Sequence, residues 1–180
     1  MVGIVATAVL VLLVVALVRS YNRFVEQRQL IENAWSNVDT ELQRRRELVP
    51  NLVATVRGYA AHERTTLDAV ISARQVAVEA GTDATAENAL GRGIRQLLAV
   101  AEAYPDLRAS QHFLELQHEL TRTENRLQAA RRIFNGNVRD YNRRTESFPA
   151  LLIARAFSMR RAEYFELEDN APLSAPRVAP

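Results

Sequence analysis

The chain begins with an apolar run that constrains its fold more than any later segment. Residues Val2–Val18, VGIVATAVLVLLVVALV, carry no charge, and Thr7 is their only polar side chain. These 17 residues are at the short end of the length that a helix needs to cross a bilayer. A cleavable secretory signal would have a basic segment before the apolar core and a small-residue cleavage site after it, and neither is present. We therefore predict a retained transmembrane anchor at residues 1–19.

Basic side chains flank only one end of this anchor. Arg19, Arg23 and Arg28 follow the apolar run, and no charged side chain precedes it. Loops rich in arginine and lysine stay on the cytoplasmic side of a membrane. The pattern therefore predicts a single-pass protein with its N-terminus outside the cell and its remaining residues in the cytoplasm.

The residues after the anchor predict helices. Apolar side chains recur at three- and four-residue steps, strand-like alternation is absent, and Gly and Pro are scarce inside the periodic runs. The last predicted helix has a strict seven-residue repeat of Phe113, Leu120, Leu127, Phe134 and Tyr141. Such a repeat is typical of a bundle seam. We predict an all-α fold in which the N-terminal transmembrane helix continues into an antiparallel four-helix bundle with long helices at 20–167, followed by a disordered tail at 168–180.

The segment Arg44–Leu52, RRRELVPNL, is predicted to be a corner between two helices. Cations in the last turn of a helix interact favourably with its dipole, and a residue before proline avoids the helical region. The second helix would then begin at Pro50, which suits the first position of a helix. A continuous helix kinked at the proline is the alternative.

A hairpin at this corner would bring two parts of the sequence together. If the chain reverses at Leu48, the expected neighbours are Trp35 with His62 and Glu63, and Asp39 with Arg57 or Gly58. The third helix is expected to begin at an N-cap on Thr85 and to stop before Pro105, and the fourth to span about Asp106–Glu146.

The segment SFPALLIARAFSMRRAEYFE that follows the fourth helix has two interpretations. It could be an amphipathic element on the inner leaflet, with its arginines at lipid phosphates. It could instead be a short helix that caps the apolar end of the bundle, and we favour this second interpretation. The candidate lipid-facing residues are Arg19, Arg23, Arg155, Arg160 and Arg161.

The composition indicates no catalytic, cofactor-binding or metal-binding site. The sequence has no cysteine, its three histidines are dispersed, and it has no Gly-rich phosphate loop. The formal net charge of +2 does not indicate a nucleic-acid-binding protein. We therefore predict that the chain is not an enzyme and needs no cofactor.

Two blocks of the sequence resemble the LemA family of bacterial membrane proteins. They are YNRFVEQRQLIENAWSNVDTELQRRRELVPNLVATVRGYAAHE and AVAEAYPDLRASQHFLELQHELTRTENRLQAARRIFNGNVRDYN. The resemblance implies one N-terminal transmembrane helix, a very short external N-terminus and a long antiparallel helical domain inside the cell. It implies no defined activity, although some relatives are linked to membrane remodelling during magnetosome formation. The family-motif residues that the resemblance suggests as structural are Trp35, Asp39, Arg45, Pro50, Asn51, Tyr59, His62, Glu63, Glu124 and Asn125.

The predicted function is that of a membrane-anchored helical scaffold or adaptor at the cytoplasmic face of the bacterial cell membrane. Its expected partners are the lipid bilayer, a membrane protein and a second copy of the chain, with no nucleic acid. The alternative is a lipid-binding or membrane-remodelling protein that acts through its basic C-terminal segment.

Overall fold

The structure, a computed structural model, describes residues 1–168. These residues form six α-helices and no strand, which confirms the all-α prediction. The helices are α1, Val2–Tyr59; α2, Arg64–Glu79; α3, Ala84–Ala101; α4, Pro105–Arg108; α5, Gln111–Glu146; and α6, Ala150–Ala156. The predicted tail at 168–180 lies outside the described residues, apart from Glu168.

The described chain divides into two compact units. The anchor unit comprises Met1–Ser36 and Ala130–Tyr164, and the core unit comprises Asn37–Ala129 with residues 165–168. Both α1 and α5 contribute residues to each unit.

The predicted corner at Arg44–Leu52 is wrong, because α1 continues through Pro50 without a break. The alternative, one continuous helix, is the correct one. A proline inside a helix removes the hydrogen bond that its nitrogen would donate to the carbonyl four residues earlier. The carbonyl left without its usual donor is that of Arg46.

A side chain from α2 supplies the missing hydrogen bond. Arg74 Nε donates to the Arg46 carbonyl oxygen over 2.8 Å. A carbonyl that is removed from water without a partner costs free energy, so this bond offsets part of the cost of the proline. The helix can therefore pass through Pro50 because a residue distant in sequence replaces the lost donor.

The continuous helix also rules out the predicted hairpin at Leu48. Asp39 and Arg57 are 18 residues apart in one helix, so about 27 Å separates them along its axis. Trp35 packs on Phe134 instead of the predicted His62, with 5.0 Å between the ring centroids. The segment expected to start α2 is the end of α1, and the chain turns at residues 60–63 instead.

In the core unit, α1, α2, α3 and α5 surround one apolar core, with α4 between α3 and α5. The core includes Leu52 and Val56 from α1, Leu67 and Val70 from α2, Leu90, Ile94 and Leu97 from α3, Leu107 from α4, and Phe113 and Leu120 from α5. The seven-residue repeat predicted for the last helix is buried at all five positions. Its helix begins at Gln111 and not at Asp106, because α4 is separate.

Two details of α3 show how it is placed. Its N-cap is Asp83 and not the predicted Thr85, since the Asp83 side chain accepts a hydrogen bond of 2.8 Å from the backbone nitrogen of Ala86. A Cβ atom at Gly93 would lie 3.3 Å from Val70 Cγ2. The absent side chain at Gly93 thus permits a close approach of α2 and α3.

In the anchor unit, α1 runs antiparallel to α5. Asn137 donates to the carbonyl of Leu30 over 3.0 Å, and Phe24 meets Tyr141 edge to face at 5.9 Å. The apolar run at the start of α1 is long and apolar enough to cross a membrane, and none of its most apolar window is buried. It is the one helix in the described part of the chain that meets this test.

We expect the substitutions Pro50→Ala and Arg74→Ala to be coupled. Arg74→Ala alone should lower the free energy of unfolding by about 1–3 kcal/mol, because the Arg46 carbonyl loses its donor. In the Pro50→Ala background the loss should be smaller, because the alanine nitrogen donates to the same carbonyl. Denaturant unfolding of the full chain in detergent, followed by circular dichroism, measures both losses.

The exposed residue Arg126, also on a helix of the core unit, offers a control for this cycle. Arg126→Ala should change the free energy of unfolding equally in both backgrounds. An equal loss for Arg74→Ala in both backgrounds would show that its bond to Arg46 does not compensate for the proline.

Candidate functional site

A buried ionic cluster joins three helices of the core unit. Arg45 of α1 donates through Nη1 to Glu124 Oε1 of α5 over 3.1 Å, and through Nη2 to the Glu87 carbonyl of α3 over 3.1 Å. Arg45 Nη2 also forms an ion pair with the Glu87 carboxylate. The Glu87 side chain has no exposed surface, and that of Arg45 is 1% exposed. Both charges are therefore removed from water.

A second arginine completes the cluster. Arg46 Nε donates to Glu87 Oε1 over 2.6 Å, and Arg46 also donates to the carbonyl of Gly81. Gly81 has a positive φ of 67°, a conformation that glycine adopts without strain. The cluster thus holds two guanidinium groups and two carboxylates, and its formal charges cancel.

The energetic role of such a cluster follows from its burial. Two charges that leave water lose hydration free energy, which their mutual attraction and hydrogen bonds must recover. Removal of one partner leaves the other charge buried without compensation, and this is strongly destabilising. Within the described residues, Arg45 Nε and the buried Thr123 Oγ1 have no hydrogen-bond partner. The hydrogen bonds of the cluster join α1, α3 and α5 at defined residues. A buried ion pair of this kind is weak evidence for a gain in the free energy of unfolding.

The family motif singled out two members of this cluster, Arg45 and Glu124, and missed Arg46 and Glu87. An acid at the start of a helix is ordinarily explained by the helix dipole, which conceals any other role. The available signal was its position: Glu87 lies on the same face of α3 as Leu90, Ile94 and Leu97, all of which are buried. A charged residue on an apolar face requires a partner of opposite charge.

The three arginines of the former corner therefore have different roles. Arg45 and Arg46 point into the buried cluster, whereas Arg44 lies 4.0 Å from Glu119 with both side chains more than a third exposed. The carboxylates that pair with the three arginines all lie on α3 and α5. Two of the three guanidinium groups are consequently inside the core unit, away from any external phosphate.

The other family-motif residues of α1 lie at separate places. Trp35 contacts Phe134, as described above. Asp39 Oδ2 accepts a hydrogen bond of 3.1 Å from Gln43 Nε2, and the carbonyl of Asn51 accepts one of 2.8 Å from Thr55. Both are local, exposed contacts that do not converge with the cluster.

The family-motif residues near the first turn are mostly at the surface. Tyr59 ends α1 and is 47% exposed, and His62 is exposed in the turn. Glu63 precedes α2 and accepts a hydrogen bond of 3.3 Å from the Tyr104 hydroxyl. Burial and the adjacent Glu63 carboxylate raise the pKa of Tyr104. This contact ties the turn at 60–63 to the connection between α3 and α4.

Asn125 and the candidate lipid-facing arginines complete the predicted set. Asn125 is exposed on α5, beside Glu124 in sequence. Arg19 is exposed, and Arg23 lies 4.0 Å from Glu26 at the surface of α1. Arg155 is exposed in the last turn of α6, whereas Arg160 and Arg161 line a groove with residues of α1.

The helix α6 packs on protein, as the favoured capping interpretation requires. Ala150 and Ala154 are buried against Phe24 and Tyr141 in the apolar core of the anchor unit. Leu152 on the opposite side of α6 is 57% exposed, and Phe157 just after it is 51% exposed. The segment therefore exposes apolar side chains even though one of its faces is covered. No group of three or more His, Asp or Glu residues within 1–168 could hold a metal ion.

We expect Glu87→Gln to be far more destabilising than Glu119→Gln. The first change leaves Arg45 and Arg46 facing one carboxylate in a buried site, and should lower the free energy of unfolding by about 3–5 kcal/mol. The second removes a half-exposed pair with Arg44 and should lower it by about 0–1 kcal/mol. Denaturant unfolding of the full chain in detergent provides the comparison.

Charge balance supplies an internal check on this prediction. Arg46→Met should be less destabilising in the Glu87→Gln background than alone, because it restores equal numbers of positive and negative groups. Similar small losses for Glu87→Gln and Glu119→Gln would show that the cluster does not depend on the Glu87 charge.

Comparisons with known proteins agree with the resemblance seen in the sequence. Magnetosome protein MamQ of Magnetospirillum gryphiswaldense is 24% identical, over 94% of this chain and 74% of that protein. Magnetosome protein MamQ 2 of Paramagnetospirillum magneticum is 24% identical, over 92% and 72%, respectively. Protein LemA of Metamycoplasma hominis is 23% identical, over 82% and 69%. The model of the LemA family matches residues 34–179. Because this match covers most of the chain, the protein belongs to the LemA family.

Proposed function

We propose that the protein is a membrane-anchored helical scaffold, with the core unit at the cytoplasmic face of a bacterial membrane. The observation that carries this proposal is α1, which joins a wholly exposed apolar run to the buried cluster of the core unit within one unbroken helix. A continuous helix is a stiff connection, whereas a loop is a flexible one. The proposed role requires binding surfaces and an anchor, and no catalytic group.

The scaffold needs a surface on which a partner can bind, and α2 offers one. Ile71 and Val78 are 42% and 47% exposed. They are seven residues apart and therefore lie on the same side of the helix. The adjoining face of α2, with Leu67 and Val70, is buried in the core unit. We assign this exposed pair as the partner-binding surface, and a membrane protein or a second copy of the chain as its partner.

A second candidate function is lipid binding or membrane remodelling. It is supported by exposed apolar side chains beside the basic residues that follow α5. Phe148, Leu152 and Phe157 are 80%, 57% and 51% exposed, respectively. Apolar residues interspersed with arginines are typical of segments that lie at a membrane surface. Two of the relatives are named magnetosome proteins, which is compatible with either function.

Crosslinking in native membranes tests the scaffold. The sequence has no cysteine, so each introduced cysteine is the single thiol of the chain. With a maleimide–benzophenone reagent, which couples to the introduced thiol and on illumination inserts into C–H bonds of the adjacent protein, Ile71→Cys and Val78→Cys should yield adducts of higher mass, to another protein or to a differently tagged second copy. Val76→Cys is the control, because Val76 is 50% exposed on the other side of α2. Equal adducts from all three positions, or none, would exclude this surface.

The proposed orientation has its own test. A membrane-impermeant maleimide added to intact cells with a permeable outer envelope should label a cysteine in a short polar extension placed before Met1 and leave Asn51→Cys unlabelled. Asn51 is exposed, so protein burial does not protect its thiol. Asn51→Cys should become reactive once the membrane is permeabilised. Labelling of Asn51→Cys in intact cells would reverse the proposed orientation.

A further inference from the structure

The anchor unit contains a groove that the scaffold does not use. Its volume is about 510 Å³, and its walls come from α1, α5 and the segment that follows α6. Arg28, Arg160 and Arg161 contribute the basic side chains, and Ile31 and Met159 contribute apolar surface. A concave surface with a few convergent polar groups on an apolar wall is typical of sites for small molecules.

A tight turn and a buried asparagine side chain hold the basic side of this groove in place. Ser158 has a positive φ of 52°, and Met159 N donates to the Ala154 carbonyl over 2.8 Å, so α6 ends in a tight turn of the kind that glycine usually forms. The buried Asn142 then binds both backbone groups of Ala162. Each of its two hydrogen bonds, to the nitrogen and to the carbonyl, is 2.9 Å long. The segment that carries Arg160 and Arg161 is thereby fixed at both ends.

The charges of the groove favour an anion. Three arginines line it against a single acid, Glu32. The Arg161 guanidinium also forms an ion pair with Glu146, at 3.1 Å. Within the described residues, Arg28 and Arg160 have no ion pair, and both are exposed to solvent. Two guanidinium groups are thus available. One guanidinium group donates two parallel hydrogen bonds to a pair of phosphate oxygens.

The groove lies close to the end of the apolar run. Tyr21, on its wall, follows Val18 by about 5 Å along the helix axis, and Arg28 follows it by about 15 Å. Helical side chains lean toward the N-terminus of their helix, so the long Arg28 side chain extends back toward the run. The ring of Phe157 packs on Tyr21, with 4.9 Å between centroids, at the same end of the groove. Aromatic residues favour the headgroup layer of a bilayer.

We propose that this groove binds the phosphate of an anionic glycerophospholipid from the surrounding leaflet, an inference that rests on the proposed membrane anchoring. Arg28 and Arg160 donate hydrogen bonds to the phosphate oxygens, and Arg161 adds positive charge at the rim. Tyr21 and Phe157, on the wall of the groove nearer the apolar run, contact the apolar part of the lipid. Glu32 disfavours a second negative charge in the groove. The site is distinct from a diffuse basic surface, because it depends on particular arginines and not on their number.

Native mass spectrometry of the full-length chain in detergent tests the proposal. Phosphatidylglycerol is titrated against the protein, with phosphatidylcholine and inorganic phosphate as separate probes. We expect phosphatidylglycerol to bind more tightly than either. Arg28→Gln and Arg160→Gln should each weaken the first bound phosphatidylglycerol by roughly tenfold or more, as expected for the loss of charge-assisted hydrogen bonds. Both changes are at exposed positions and keep a polar side chain, so folding should persist.

Arg155→Gln is the matched control, because Arg155 is exposed on the adjacent α6 and does not line the groove. It should leave phosphatidylglycerol binding unchanged. Equal weakening by Arg155→Gln would show a diffuse basic surface, and equal affinity for phosphatidylcholine would show no headgroup preference. Inorganic phosphate that binds as tightly as the lipid would identify a site for the free ion. Each of these results would overturn the proposal.

Flotation with neutral phosphatidylcholine vesicles separates this inference from the proposed anchoring. If the full chain floats and shows no preference for phosphatidylglycerol in the titration, the anchor stands and the groove site is excluded. If the chain does not float, the anchoring itself is excluded, and the lipid site with it.

Discussion

The Glu87 carboxylate is the constraint on which the core unit depends. It has no exposed surface, and a buried carboxylate remains charged only if positive groups surround it. Arg45 and Arg46 from α1 fulfil this requirement, and Glu124 from α5 balances the additional positive charge. Apolar packing tolerates small shifts of one helix along another, whereas these hydrogen bonds do not. The cluster therefore defines the register of α1, α3 and α5, while the surrounding leucines and valines supply most of the burial.

A buried apolar face and one hydrogen bond from α2 stabilise the continuation of α1 past Pro50. If the helix had ended at the proline, the apolar residues Leu52, Val53 and Val56 would belong to another element. In the continuous helix they extend the face that begins at Val49, and all are buried. Arg74 reaches across from α2 to the Arg46 carbonyl, so one residue of α1 is held by its side chain at Glu87 and by its backbone at α2. Packing and the compensation for the proline thus support each other.

The anchor unit relies on a different arrangement, in which aromatic and amide contacts replace buried ions. Phe24, Tyr141, Ala150 and Ala154 form its apolar core, and Arg144 lies over the Phe24 ring at 5.9 Å. The Asn142 side chain forms hydrogen bonds with both backbone groups of Ala162, in the extended segment after α6. The effect is to present a short basic segment as an ordered surface near the apolar run. That order gives the proposed lipid site a fixed backbone on its Arg160 and Arg161 side, which reduces the rearrangement that binding requires.

Several properties of this protein follow from the sequence alone. The apolar run, the helical periodicity and the strict repeat from Phe113 to Tyr141 depend on neighbouring residues, and they predicted the all-α class, the long N-terminal helix and the buried face of α5. The family motif also indicated Arg45 and Glu124 before any contact was known. Local patterns of this kind survive in the tertiary structure because burial of a continuous apolar face outweighs most competing preferences.

Only the tertiary structure decided the points that depend on residues far apart in the chain. The local preferences of Pro50 and of three successive arginines favour a helix end. That prediction was wrong because Arg74, 28 residues after Arg46, donates to the Arg46 carbonyl in place of the residue-50 nitrogen. Glu87 was overlooked because its partners Arg45 and Arg46 precede it by 42 and 41 residues. Arg28 and Arg160 lie on different elements, and only their folding against α5 brings them to one groove. A charged residue on an apolar helix face, such as Glu87, indicates that a buried partner exists, but a single sequence does not identify that partner, which only the packing of the helices reveals.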